Sequence, residues 1–377
     1  MDKFGIYIHV PWCRRRCPYC DFYFVVGQPL RNFNDAIFAE WRFRRHQYGL
    51  IADTLYLGGG TPSMLDPEFI DQLVDFFIDE GALGEGAEIT IEANPEDITP
   101  AFAKRLAHTW VNRISLGAQS LNDALLKALG RNHSALSIKT AIDELNQAGF
   151  TNISVDLILG MEGENVYDTQ ASLRYLNDKK IPHISAYLLT VEEKTHFAKL
   201  IEAGRMKGPD EDTQVEIYRA VQRELNDLGY GQYDISSYAK PGFRSRHNQI
   251  YWAKGSYLGL GPAAHSMRLL PDGSVERAQN KRDLKSWLSQ DHSQNIERLN
   301  PHEALKEALA FGLRNMADGI KPEMLAKRHQ VELPSSFLGL IQRLEEQGLL
   351  DITNDSIKIT AEGALFADSI MRDILGA

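Results

Sequence analysis

Six times between Phe4 and Leu189 a short strand-like segment gives way to one with helical spacing. The strand-like stretches are 4–10, 53–57, 88–93, 113–116, 154–159 and 184–189. Helical spacing follows the first four over 32–46, 67–80, 101–108 and the pair 123–129 and 135–148, and a helix follows each of the last two; it is clearest in Phe69, Ile70, Leu73, Phe76 and Phe77. A helix between two strands returns the chain to the same end, so the strands run parallel. The expectation is an α/β fold with an open, partial (β/α)6 TIM-type barrel. A doubly wound sheet satisfies the same periodicity and is the alternative.

From about Gly229 the texture changes. Tyrosine and glycine become frequent (YGQYDISSYAKPG, YWAKGSYLGLG) and the alternation stops. From Pro301 helical spacing returns over 302–316, 321–328 and 334–347, then two short apolar runs flank Asn354–Asp355 and 361–375 closes the chain. Helices followed by a hairpin predict a winged-helix-like α+β module. The expected divisions are 1–228, 229–300 and 301–377. The last is not basic, so a packing or partner surface is expected there, not DNA binding.

With 377 residues the chain is long enough for a large α/β domain and an appendage. Its net charge of -10 excludes a nucleic-acid coat or a polybasic membrane binder. No run approaches eighteen apolar residues, and MDKFGIYIHVPWC lacks a secretory h-region. A cytoplasmic address is expected. There are 3 cysteines, an odd number, all within one short loop, which argues against a disulfide framework.

Those cysteines are spaced Cys13-x-x-x-Cys17-x-x-Cys20. Three thiolates on a tight loop suit three corners of a 4Fe–4S cubane. The fourth iron, left open, suits a chelating ligand such as S-adenosylmethionine (SAM). A zinc site is the alternative. It needs a fourth ligand, and His9 is the nearest candidate.

IYIHVPWCRRRCPYC resembles the opening of radical SAM proteins of the coproporphyrinogen III oxidase-like group. The resemblance runs through most of the chain. It implies cluster binding by Cys13, Cys17 and Cys20, with Tyr7 and Tyr19 beside SAM. It implies that Gly59, Gly60 and Thr61, in LGGGTP, meet the methionine end of SAM. It likewise assigns SAM contacts to Glu92 (IEANP), Gln119 (SLGAQS), Arg131 (LGRNHS) and Asp156 (SVDLILG). Independently of the resemblance, the cysteine loop, the glycine run, Glu92 and Gln119 fall at or just after the ends of successive strands, where barrel active sites are built. Asp156 lies inside its strand.

Two features divide the group. Its oxidases carry a further cysteine two residues after the third, where this chain has Phe22. CPYCDF is instead similar to the group's heme chaperones. HNQIYW, residues 247–252, resembles their heme-binding signature, which implies heme contacts by His247, Tyr251 and Trp252. A neutral imidazole can ligate heme iron, and flat aromatic faces suit the macrocycle. His265, after the variant loop Gly261–Pro262–Ala263–Ala264, is a second candidate. LILGMEGE departs from the group's usual Gly-Leu-Pro. The implied role is binding heme and passing it to apo-hemoproteins such as respiratory membrane enzymes, with no anchor of its own expected and with the C-terminal module meeting the acceptor or a second subunit. The alternative is radical decarboxylation of coproporphyrinogen III.

Overall fold

The computed structural model describes residues 3–49, 51–353 and 356–376. Six parallel strands form its centre: β1 (Gly5–Val10), β2 (Ala52–Gly59), β3 (Leu83–Ala93), β4 (Arg113–Gln119), β5 (Ile153–Leu159) and β6 (His183–Leu188). They lie side by side in sequence order. A doubly wound sheet reverses its strand order at a switch point, so this order decides for the partial barrel.

The helices that return the chain start at defined caps. Asp66 accepts the N–H of Glu68 before the helix Pro67–Asp79. Ser134 and Ser137 form a reciprocal capping box at Ala135–Gln147. Asn165 accepts the N–H of Asp168 at Val166–Asp178. Such caps satisfy amides that have no partner within the helix.

Alternate residues of each strand face opposite ways. Ile6, Ile8, Leu55, Leu57, Ile89, Ile91, Ile114, Leu116, Val155 and Ile184 are buried in one apolar core with helix residues such as Leu73, Phe77, Ile138 and Leu173. Each such side chain contributes about 1.5–3 kcal/mol. The opposite face is polar and aromatic. Tyr7 pairs in register with Tyr56, and Tyr56 with Thr90. Glu92 pairs with Ser115, Ser115 with Ser154, and Ser154 with His183.

The region after Gly229 stays in this sheet, with antiparallel strands in place of the strand–helix alternation. β7 (Gly231–Gln232) and β8 (Ser237–Ala239) add antiparallel strands beyond β6. The chain then crosses to the other edge, where β9 (Tyr257–Leu260) pairs parallel with β1. β10 (His265–Leu269), β11 (Val275–Asn280) and β12 (Gln294–Leu299) extend that edge antiparallel. The result is an open sheet of 12 strands.

The C-terminal helices Pro301–Gly312, Pro322–His329 and Ser335–Glu346 precede β13 (Leu350–Ile352) and β14 (Ile357–Ile359), which pair antiparallel. Ile320 bridges to Ile357 as a short third strand. These elements and the last helix, Ala367–Gly376, enclose their own core around Leu309, Phe337, Leu344 and Ile370. The expected turn at Asn354–Asp355 lies outside the described residues. Among the described residues no helix is long and apolar enough to cross a membrane.

Candidate functional site

The polar face of β2–β6 opens onto a cavity of about 450 Å³. Cys13, Cys17 and Cys20 line it, with Tyr19, Gly59, Gly60, Thr61, Glu92, Gln119, Arg131 and Asp156. The loop after β1 carries the cysteines over the ends of the neighbouring strands.

Backbone constraints shape the glycine run. Gly59 has φ +113°, and a Cβ there would lie 2.5 Å from the His9 ring. A Cβ on Gly60 would lie 2.6 Å from the Trp12 carbonyl oxygen. Neither position accepts a larger residue without moving the cysteine loop's approach.

Glu92 ties this run to β3. One carboxylate oxygen accepts the Gly59 N–H at 2.9 Å, and the other accepts the Tyr56 hydroxyl at 2.9 Å. Burial raises its pKa to about 7, against the lowering effect of those two hydrogen bonds. Asp156 accepts from the Ser115 hydroxyl at 2.6 Å and the Ser154 hydroxyl at 3.1 Å, and burial raises its pKa also. Among the described residues no cation is hydrogen-bonded to either of these two carboxyls, although Arg113 acts on Asp156 through space. A ligand carrying positive charge would be welcomed there.

Around the sulfurs, Arg131 Nη1 donates to Cys17 Sγ at 3.5 Å and Thr61 Oγ1 to Cys13 Sγ at 3.6 Å. Arg131 Nη2 donates to Asn94 Oδ1 at 2.5 Å. Burial pushes the Cys13 thiol up to about 11 and raises Cys20 as well. Without a metal these two stay protonated, so loading iron releases protons.

Among the described residues, two buried polar atoms lining the cavity have no partner: Gln119 Oε1 and Arg131 Nε. Gln119 also has φ +61°, at a register shift in β4. A non-glycine residue in the left-handed region beside an unsatisfied amide is stored strain of the kind found at binding sites.

A second cavity, of about 550 Å³, opens beyond β1. Tyr7 lines this one, and its ring stacks on Tyr56, which lines the first, with centroids 6.1 Å apart. Its hydroxyl meets His9 Nδ1 at 3.1 Å. Tyr251, Trp252 and His265 line the second cavity too, and Phe22 lines both.

His247 lies in neither. It is 1 % exposed. Its Nδ1 meets Thr54 Oγ1 at 2.7 Å and its Nε2 the Tyr251 hydroxyl at 2.8 Å. The N–H groups of Arg246 and His247 donate to Glu88 at 3.1 and 3.0 Å, pinning the helix Arg246–Trp252 against β3. With both ring nitrogens engaged and the side chain buried, this histidine fastens a helix to the sheet.

The zinc alternative fares no better. His9 Nε2 is bonded to the Tyr23 carbonyl at 2.8 Å, so it does not complete a site with the cysteines. Among the described residues no three His, Cys, Asp or Glu side chains converge as a single ion requires. A cubane makes a different demand, one thiolate to each of three irons.

Sequence reasoning missed Tyr56, Asn94, Ser115 and Ser154, which brace the named residues. Tyr56, Ser115 and Ser154 occupy cavity-facing positions of their strands, and that alternation was the available signal.

The radical SAM superfamily model matches residues 7–176, and the HemN C-terminal domain model residues 299–366. The heme chaperone HemW of Bacillus subtilis (strain 168) is 31% identical over 380 residues, covering 98% of each chain. The heme chaperone HemW of Escherichia coli (strain K12) is 31% identical over 391 residues, again 98% of each. The chain belongs to the HemW family of radical SAM proteins. The fold agrees: coproporphyrinogen III oxidase (HemN) from Escherichia coli superposes with a TM-score of 0.80 at 21% identity, covering 99% of this chain and 90% of that one. Membership in a radical SAM family implies a 4Fe–4S cluster and SAM. The first cavity of this HemW-family chain fits both, with three thiols, two buried carboxyls and two polar atoms without a partner among the described residues.

Proposed function

We propose that this chain is a heme chaperone, binding heme and handing it to apo-hemoproteins. The supporting observation is that relatives named heme chaperones match it over nearly the whole length, while its cysteine loop and SAM-type residues share one cavity. Cys13, Cys17 and Cys20 hold the cluster. Gly59, Gly60, Thr61, Glu92, Gln119, Arg131 and Asp156 hold SAM, and Tyr19 bounds its adenine side. When bound, the cluster supplies an open iron to the amino and carboxylate groups of SAM and a source of electrons.

The residues themselves bind and orient. Glu92 and Asp156 offset the positive charge of SAM, and the glycine run admits it against backbone. Arg131 braces Cys17 and Asn94. Tyr251 and Trp252 offer aromatic faces to heme from the second cavity. The protein acts in the cytoplasm, and acceptors such as respiratory enzymes meet it directly or through the C-terminal module, which also offers a surface for a second subunit.

The test is heme transfer. Protein reconstituted anaerobically with its cluster is loaded with hemin and mixed with an apo-hemoprotein. Movement of the heme absorbance to the acceptor is the expected result. Formation of 5′-deoxyadenosine that depends on coproporphyrinogen, with no heme retained, would replace this reading with that of an oxidase.

A further inference from the structure

β4 ends at Gln119 in left-handed backbone, with its register against β5 shifted. A non-glycine residue keeps that conformation only where its surroundings impose it. One of the groups that impose it is His133, buried two residues past Arg131. Its Nε2 lies 3.1 Å from the carbonyl oxygen of Ala118, the residue before Gln119. Its Nδ1 lies 2.9 Å from Glu96 Oε2.

Both partners only accept. A carbonyl and a carboxylate offer no hydrogen, so the ring gives an N–H to each and carries positive charge in this arrangement. His9, His183 and His247 differ, because each faces at least one hydroxyl, which gives or takes as a neutral ring requires. Glu96 supplies the opposite charge. Burial raises its pKa, but the His133 bond, a backbone bond and the charge of Arg131 bring it down to about 2. A buried ion pair with both nitrogens engaged holds its geometry more firmly than a neutral contact does.

The pair joins three pieces of the cavity wall. Glu96 lies in the turn Pro95–Asp97 after β3 and lines the first cavity. Neighbours in that turn bind outward: Asn94 accepts Arg131 Nη2, and Asp97 accepts from Arg14 and from the Ser63 hydroxyl at 2.6 Å. Ala118 is the end of β4. His133 itself belongs to the loop that carries Arg131. Beyond it the loop is anchored again, where Ala135 donates its N–H to Asp123 at 2.7 Å and Ser134 caps the helix Ala135–Gln147. Gln119 and Arg131 therefore stand on the two segments that this one ring ties to a third.

We propose that His133 is a positioning residue for the SAM site: held between Glu96 and the Ala118 carbonyl, it fixes the backbone of Gln119 and the loop of Arg131 in the geometry that receives SAM. The proposal rests on the reading of the first cavity as the SAM site. His133 does not line that cavity and acts through its neighbours.

The test uses the full chain reconstituted anaerobically with its cluster. Wild type, His133→Leu, His133→Gln and Glu96→Gln are compared in SAM affinity by equilibrium dialysis, in iron and sulfide content, and in denaturant unfolding. His133→Leu gives neither hydrogen bond and is expected to weaken SAM about tenfold while cluster content stays at the wild-type level. His133→Gln restores one donor and should recover part of that loss. Glu96→Gln leaves the ring in place, removes only the charge, and should weaken SAM several-fold; it carries the test if His133→Leu does not fold. Wild-type SAM affinity in His133→Leu or Glu96→Gln, with stability alone reduced, overturns the proposal and makes the ring a fold element only. A cluster-loaded wild type that binds no SAM overturns the SAM-site reading itself.

Discussion

Nε2 of His247 and the hydroxyl of Tyr251 lie 2.8 Å apart, one helical turn from each other. The same ring reaches Thr54 on β2 through Nδ1 at 2.7 Å and stacks on Tyr56 with centroids 4.9 Å apart. The helix Arg246–Trp252 has only 7 residues and is too short to hold itself. Its place is set by these bonds and by Glu88, which receives two of its amides.

His247→Ala therefore loses stability first. It leaves Thr54 and Tyr251 without partners in a buried setting, at about 2–4 kcal/mol. Denaturant unfolding should show this in the cluster-free protein, with no heme present. Unchanged stability together with abolished heme binding would show that His247 acts on heme and not on the fold.

Cluster loading separates cubane from zinc. Wild type reconstituted anaerobically should hold about four irons and four acid-labile sulfides. Any single Cys→Ala at 13, 17 or 20 should lower both together. Zinc in stoichiometric amount with no sulfide is the outcome that sinks the cluster.

Glycine at 60 is tested by one methyl group. Gly60→Ala puts a Cβ 2.6 Å from the Trp12 carbonyl, beside Cys13. The loop must shift, and SAM affinity of the reconstituted protein should fall tenfold or more by equilibrium dialysis. Equal affinity in the variant would mean the loop gives way freely.

Glu92 sets a pH dependence. Its pKa is raised by burial from 4.5 to about 7 in the folded chain. A raised value means the proton favours folding. The contribution is complete below about pH 4.5 and is lost as pH rises through about 7. Between pH 6 and 8 the ligand-free protein should lose about 1 kcal/mol that Glu92→Gln does not lose. Thermal unfolding of both across that range is the measurement, and parallel curves would refute it.

The six parallel strands were legible because each alternates an apolar residue against the helices with a polar one toward the cavity. Their limits were less so. β3 starts at Leu83, five residues before the expected 88, where pairing with β2 shifts register. The strands after Gly229 hid for a physical reason. They run from 2 to 6 residues, and β9 finds its partner β1 some 250 positions earlier. No local pattern encodes such a pairing. His247 hid likewise, since seven residues show too little periodicity to tell a buried imidazole from a free one. The last helix was expected over 361–375. It begins at Ala367 after a tighter turn, Gly363–Phe366, where Gly363 packs against the Leu349 carbonyl.

Phe22 is 73 % exposed and lines both cavities. One exposed side chain thus borders both openings, so a substitution at Phe22 touches the two cavities at once.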